Sequence, residues 1–257
     1  EADWNPDVND MRSKITSKTK AIVLINPNNP TGAVYEKEVL EGIVALAAEK
    51  NLMVFSDEIY DKILYDGNKH VPIASLSEDV FFMTFGGLSK NYLAAGFRGG
   101  WVIASGAKEK AKSYLEGINL LASMRLCANV PAQYAIQTAL EGRQSIQDLI
   151  AEGGRLRKQR DQIFNKLSKI PGITCVKPKG SLYVFPKIDL SQFTFKDDEE
   201  FTMKLLDEQK VLVVPGSGFN SFDRAHFRIV FLPNEVTLNK ALLGIKELLD
   251  KYRIKAI

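Results

Sequence analysis

Four short apolar runs mark the first 105 residues: AIVLI (21–25), LMVFS (52–56), VFFMTF (80–85) and WVIAS (101–105). Continuous apolar runs of this length, without alternation, predict strands buried in a parallel sheet. Between the first two, Val39, Leu40, Ile43 and Ala47 recur at helical spacing, so residues 36–50 read as an amphipathic helix. Strand, helix and strand in this order make a βαβ unit. No clean helical stripe separates the third run from the fourth, so WVIAS is expected to return antiparallel.

Helical spacing dominates the middle of the chain. Ala111, Tyr114, Leu115, Ile118, Leu121 and Ala122 form one stripe. A further helix is expected from Pro131, which suits a first turn. A long helix is predicted over 145–169, with Gly153-Gly154 as its break or kink. After Pro171-Gly172 the short apolar runs ITCV, LYVFP, VLVVP and HFRIVF alternate with helices. The last helix, 235–252, aligns Leu238, Ala241, Leu242, Ile245, Leu248, Leu249 and Tyr252 on one face. The pattern predicts two α/β domains, 1–150 and 151–257. The charge run KDDEE (196–200) precedes a helix, where carboxylates serve the N-terminus.

Composition narrows the function classes. The 257 residues carry a formal net charge of only +3, with no basic stripe interleaved with aromatics. Nucleic acid and membrane surfaces are therefore not expected partners. Cys127 and Cys175 lie far apart and belong to no CxxC or Cys/His cluster, so neither a disulfide framework nor a zinc site is expected. Two reduced cysteines fit a cytoplasmic protein.

Four polar features lie just beyond the apolar runs. Ligand sites in open α/β sheets gather outside the carboxyl ends of strands, so this placement is informative. NPNNPTG (26–32) follows the first run and offers Asn29 on a tight loop. SDEIYDK (56–62) follows the second and brings Asp57 and, three residues on, Tyr60. As a lone carboxylate, Asp57 could equally cap a turn. Ser89-Lys90 follows the third, among small residues. A desolvated ε-amine there can serve as a nucleophile. Arg98 stands among Gly96, Gly99 and Gly100, where a guanidinium fork suits a phosphate. One ligand would use all five side chains. Pyridoxal phosphate has an aldehyde for a lysine, a pyridine nitrogen for an acid, a phenolic oxygen for donors and a phosphate for an arginine.

NPNNPTG, DEIYDK, GLSKNYLAAGFRGGW and FRIVFLP, in this order and spacing, resemble the class I/II pyridoxal-phosphate aminotransferases. YDKILYD, LASMRLCANVPAQ, GGRL with a nearby QR, and CVKPKGSLYVFPKID look like the bacterial alanine (glutamate–pyruvate) subgroup. The resemblance runs from residue 1 to about 233. It implies the fold-type I architecture: a three-layer αβα large domain with a mostly parallel mixed sheet, and a smaller α/β domain. By the same resemblance, Lys90 forms the internal aldimine and Asp57 keeps the pyridine nitrogen protonated. Asn29 and Tyr60 contact the phenolic oxygen, Arg98 binds the phosphate, and Arg228 clamps the substrate α-carboxylate. Lys90 also carries the α-proton, and ping-pong transamination of alanine with 2-oxoglutarate is the implied reaction. A homodimer acting on small amino acids and 2-oxo acids is implied as well.

The chain departs from the family pattern in two places. Some members have a phosphate-binding serine three residues before the lysine; Gly87 stands there. Members also carry a long portion ahead of the segment equivalent to Glu1, so the chain is expected to be the C-terminal part of an aminotransferase. Arg125 lies near a segment that contacts dicarboxylic substrates in aspartate-type relatives, one residue out of register, and reads more simply as a helix-end arginine. Two other readings of the resemblance stand beside transamination: a carbon–sulfur β-lyase using the same lysine, and an effector-sensing domain of a transcription regulator.

Overall fold

The four apolar runs pair in sequence order. In the computed structural model, which describes residues 3–254, β1 (Ala21–Ile25), β2 (Met53–Asp57), β3 (Phe81–Gly87) and β4 (Gly100–Gly106) form one sheet in the order β1-β2-β3-β4. β1, β2 and β3 run parallel, and β4 returns antiparallel to β3 as its sequence context predicts. β2 is displaced by one residue from the apolar run, so that Asp57 ends the strand rather than following it. Backbone pairing to both neighbours extends that far, with Ile25 opposite Asp57 and Asp57 opposite Phe85.

The chain folds as two units. One takes the residues up to Asn28 with Ala33–Gln147; the other takes Asn29–Gly32 and the chain from Asp148 onward.

In the first unit, α1 (Val8–Lys14) is capped by Asp7, whose carboxylate accepts the Asn9 N–H at 2.8 Å. α2 (Lys37–Glu49) buries Leu40, Ile43, Val44 and Ala47 against Ile22, Leu24, Val54 and Phe82 of the sheet. Full burial of each such Leu or Ile contributes about 1.5–3 kcal/mol. The opposite sheet face is covered only in part. Leu115 and Ile118 of α3 (Lys112–Arg125) pack on Phe81 and Met83, whereas Val23 of β1 is 68% exposed. The runs that read as buried on both faces are therefore buried mainly on the α2 face. α3 itself buries none of its residues, and Leu121 in its apolar stripe is exposed. α4 (Val130–Glu141) begins one residue before Pro131 and is capped by Asn129.

The predicted helix over 145–169 is two helices, α5 (Ile146–Ile150) and α6 (Arg155–Leu167). Gly153 adopts φ +76°, a left-handed conformation open to glycine, and the helix is interrupted rather than kinked.

In the second unit the paired strands are much shorter than the apolar runs. β5 (Ile173–Thr174) pairs with β7 (Lys187–Ile188), and β6 (Tyr183–Val184), β9 (Phe227–Val230) and β8 (Val214–Pro215) form an antiparallel sheet in the order β6-β9-β8. α7 (Asp198–Gln209) is capped by Asp197, which accepts the Glu200 N–H at 3.0 Å, so the acidic run serves the helix start. α8 (Glu235–Tyr252) buries Leu238, Leu242, Ile245, Leu248 and Leu249. Phe195, Phe201 and Phe227 pack in sequence, with centroids 5.4 and 5.0 Å apart.

Candidate functional site

Two parallel strands release their chains at the same sheet end, and both following loops carry charged chemistry. Asp57 ends β2, half-buried, and its Oδ1 accepts the Ile59 N–H at 3.1 Å. Burial pushes its pKa up and the neighbouring Glu58 adds to the rise. The Ile59 hydrogen bond and the charge of Lys90 oppose it. An acid in this position gains from a cationic partner. Tyr60 follows in the same turn and is only 3% exposed.

Lys90 stands three residues past the end of β3, half-buried in a turn. Its carbonyl accepts the Leu93 N–H at 3.1 Å, and Leu93 takes a left-handed φ of +51°. Arg98 closes the following 3₁₀ turn, Ala95–Phe97, at φ +52° and is exposed. Its Nη1 donates to the Ala95 carbonyl at 2.8 Å, which uses one of five guanidinium donors. Gly87 has a physical reason to lack a side chain. A Cβ there would stand 3.1 Å from both the Gly99 carbonyl oxygen and Ile59 Cδ1. A serine at this position would press on backbone that has little room to move.

In the second unit, Asn29 and Arg228 meet directly: Arg228 Nη1 donates to Asn29 Oδ1 at 2.8 Å. Arg228 lies within β9 between the buried Phe227 and Ile229, so alternation turns it to the other face. There its guanidinium carbon lies 4.5 Å from the Tyr183 ring centroid and 4.9 Å from that of Phe219. The Asn29 loop is held by Gly32, whose carbonyl accepts the N–H groups of Lys179 and Gly180, each at 2.9 Å.

The structure thus brings Asp57, Tyr60, Lys90 and Arg98 to the sheet end of one unit, and joins Asn29 to Arg228 in the other. Arg125 is the last residue of α3 and is exposed. Burial pushes the Cys175 thiol up to about 12, which keeps it protonated and unreactive. Among the described residues no cluster of His, Cys, Asp or Glu is suited to a metal ion.

Several polar and aromatic partners were not legible beforehand. Asn91 joins the two loops of the first unit through Asp61 and the Lys62 N–H. Buried Glu58 accepts from Ser56 Oγ at 3.0 Å and pairs with His70 at 2.9 Å. Tyr183 and Phe219 flank Arg228 from 45 and 9 positions away (228 − 183 and 228 − 219). Among these, Asn91, Asp61 and Glu58 carried a sequence signal, their places next to Lys90, Tyr60 and Asp57.

The family model described as aminotransferase class I and II matches residues 1–245. The glutamate–pyruvate aminotransferase AlaA of Haemophilus influenzae is 54% identical over 253 residues, covering 98% of this chain and 63% of that protein. A crystal structure of an aminotransferase from Escherichia coli superimposes with a TM-score of 0.96 at 52% identity, covering 98% of this chain and 63% of that one. An alanine aminotransferase from Pyrococcus furiosus gives 0.90 at 42% identity, covering 97% and 62%. The chain therefore spans about 63% of the length of the first of these relatives.

Proposed function

Because the chain belongs to the class I and II aminotransferases, we propose that its protein transfers an amino group between amino acids and 2-oxo acids with pyridoxal phosphate. Alanine and 2-oxoglutarate, giving pyruvate and glutamate, are the proposed pair, since similar proteins are named glutamate–pyruvate or alanine aminotransferases. A cytoplasmic homodimer belongs to the same reading. The observation that carries it is the placement of Asp57 at the end of β2 and of Lys90 three residues beyond β3, its parallel neighbour.

The residues present fit the cofactor. Asp57 is a partly desolvated carboxylate whose ionised form calls for a cation, which a protonated pyridine nitrogen provides. Lys90 is a half-buried residue on the neighbouring strand's loop. Tyr60 and Asn29 offer an O–H and an amide toward the phenolic oxygen, and Arg98 offers guanidinium donors to the phosphate. When bound, pyridoxal phosphate supplies an electrophilic carbon for the substrate amine and a ring that takes up the electron pair left by the α-proton.

The chain's own groups do the rest. Lys90 would hold the cofactor through its amine, and that amine would move the substrate α-proton. Asp57 would hold a proton at the ring nitrogen. Arg228, packed over the rings of Tyr183 and Phe219 and oriented by Asn29, grips the substrate α-carboxylate.

The test is Lys90→Ala in the complete gene product loaded with pyridoxal phosphate. Pyruvate formation from alanine and 2-oxoglutarate should follow ping-pong kinetics in the wild type. It should fall on the order of 10⁴-fold in the variant. Near-normal transamination by the variant would overturn the reading.

A further inference from the structure

The loop after β2 and the loop after β3 are fastened together by one side chain, Asn91. It is 5% exposed and uses both ends of its amide. Nδ2 donates to Asp61 Oδ1, and Oδ1 accepts the Lys62 N–H at 3.3 Å. Each anchor sits one residue from a side chain given a role above: Asn91 follows Lys90, and Asp61 follows Tyr60. The turn is closed on itself as well, with Ala94 N–H bonded to the Leu88 carbonyl at 3.1 Å.

We propose that Asn91, clamped by Asp61, is a positioning residue that fixes where the Lys90 side chain starts relative to Asp57 and Tyr60. The inference rests on the aminotransferase reading of that site. A lysine stem has four rotatable carbons and a point-like charged head. Packing alone orients such a group poorly, and the placement of its backbone decides how far the amine can roam. Displacement by about 1 Å costs on the order of 10²-fold in rate. The position calls for a donor toward Asp61 and an acceptor for a backbone N–H, and asparagine supplies both on one short, stiff side chain. Asp61 is itself partly desolvated, and burial pushes its pKa up while the Asn91 bond opposes the rise. The clamp is therefore part of what makes that carboxylate tolerable there. Alanine at 91 would leave both Asp61 and the Lys62 N–H without this partner.

The experiment compares wild type, Asn91→Ala, Asp61→Asn and the reciprocal pair Asn91→Asp with Asp61→Asn, each as the complete gene product. Two quantities are read: the kcat and KM of transamination, and the rate at which the visible band of lysine-bound cofactor appears when apoenzyme is mixed with pyridoxal phosphate. Asn91→Ala should lower kcat by about 10- to 100-fold with KM within about threefold, and slow the appearance of the band about tenfold. Asp61→Asn keeps an acceptor for the Asn91 amide and should stay within about threefold of wild type. The reciprocal pair restores donor and acceptor and should recover both quantities.

If Asn91→Ala fails to fold, Asp61→Ala breaks the same clamp from the other side and carries the same expectation. Wild-type kcat and band kinetics in the clamp-breaking variant would overturn the proposal, as would a loss that the reciprocal pair does not recover. A wild type that never forms the band would instead sink the aminotransferase reading itself, so the two failures are distinguishable.

Discussion

Arg228 Nη1 donates to Asn29 Oδ1 at 2.8 Å across 199 positions of sequence. This bond orients a guanidinium that also lies over the rings of Tyr183 and Phe219. Arg228→Lys keeps the charge but loses the planar fork. A hydrogen bond to a charged group contributes about 1.5–3 kcal/mol, so kcat/KM for alanine should fall about 10- to 100-fold. Asn29→Ala should cost less, and the double variant should cost less than the product of the two. Steady-state kinetics of all three would check this, and strict additivity would show that the two residues act independently.

Phe219 contributes one of the two aromatic faces. Cation–π contacts contribute about 0.5–2 kcal/mol, so Phe219→Leu should raise the KM for alanine by about two- to thirtyfold and spare kcat more. Phe219→Tyr keeps the ring and should behave like wild type. Equal losses in the leucine and tyrosine variants would remove the ring face as the explanation.

Gly32 takes φ +73°, and a Cβ there would lie 2.6 Å from Pro178 Cβ and 2.9 Å from the Tyr183 carbonyl oxygen. Gly32→Ala therefore combines backbone strain with overpacking, about 1–2 and 1–3 kcal/mol respectively. Denaturant unfolding should show a loss of about 2–5 kcal/mol, with the Asn29 loop the region that shifts. A loss below 0.5 kcal/mol would mean that the loop gives way freely.

Asp223 joins Lys187 of β7 to His226, the residue before β9: Lys187 Nζ is 2.8 Å from Oδ2 and His226 Nδ1 is 2.9 Å from Oδ1. Burial works against its ionisation, but the bonds from Lys187 and His226 together outweigh it and hold the carboxyl well below the usual carboxylate range. The unfolded chain thus binds this proton more readily than the folded one. The resulting stability is present above the ordinary carboxylate pKa of about 3.9 and is lost as pH falls toward the folded value. Asp223→Asn should have a lower Tm than wild type at pH 7, with the gap closing below about pH 4. A gap that stays constant down to acid would assign the loss to packing instead.

Much of the first unit is legible in the sequence. Val39, Leu40, Ile43 and Ala47 announced α2; Leu40, Ile43 and Ala47 are buried in it with Val44 and Leu46, while Val39 is half-buried. The run VFFMTF announced β3 and, with WVIAS close behind it, the antiparallel return. The strand limits were not legible to the residue. Asp57 belongs to β2 because it pairs with Ile25 and Phe85, and a neighbouring strand is not visible in local composition. Apolar runs in the second unit overstated their strands for the same reason: apolarity reports burial, while pairing needs a partner backbone in register.

The sequence by itself determined which residues could carry the chemistry and that Tyr60, Lys90 and Arg98 stand beyond strand ends, with Asp57 at one, because periodicity and turn residues are local consequences of burial. Only the tertiary structure decided which side chains hold them: Asn91 with Asp61, Arg228 with Asn29, Tyr183 and Phe219 around one guanidinium. Such pairings join segments up to 199 positions apart. They depend on where the folded chain brings a donor, an acceptor or a ring, which no local pattern encodes.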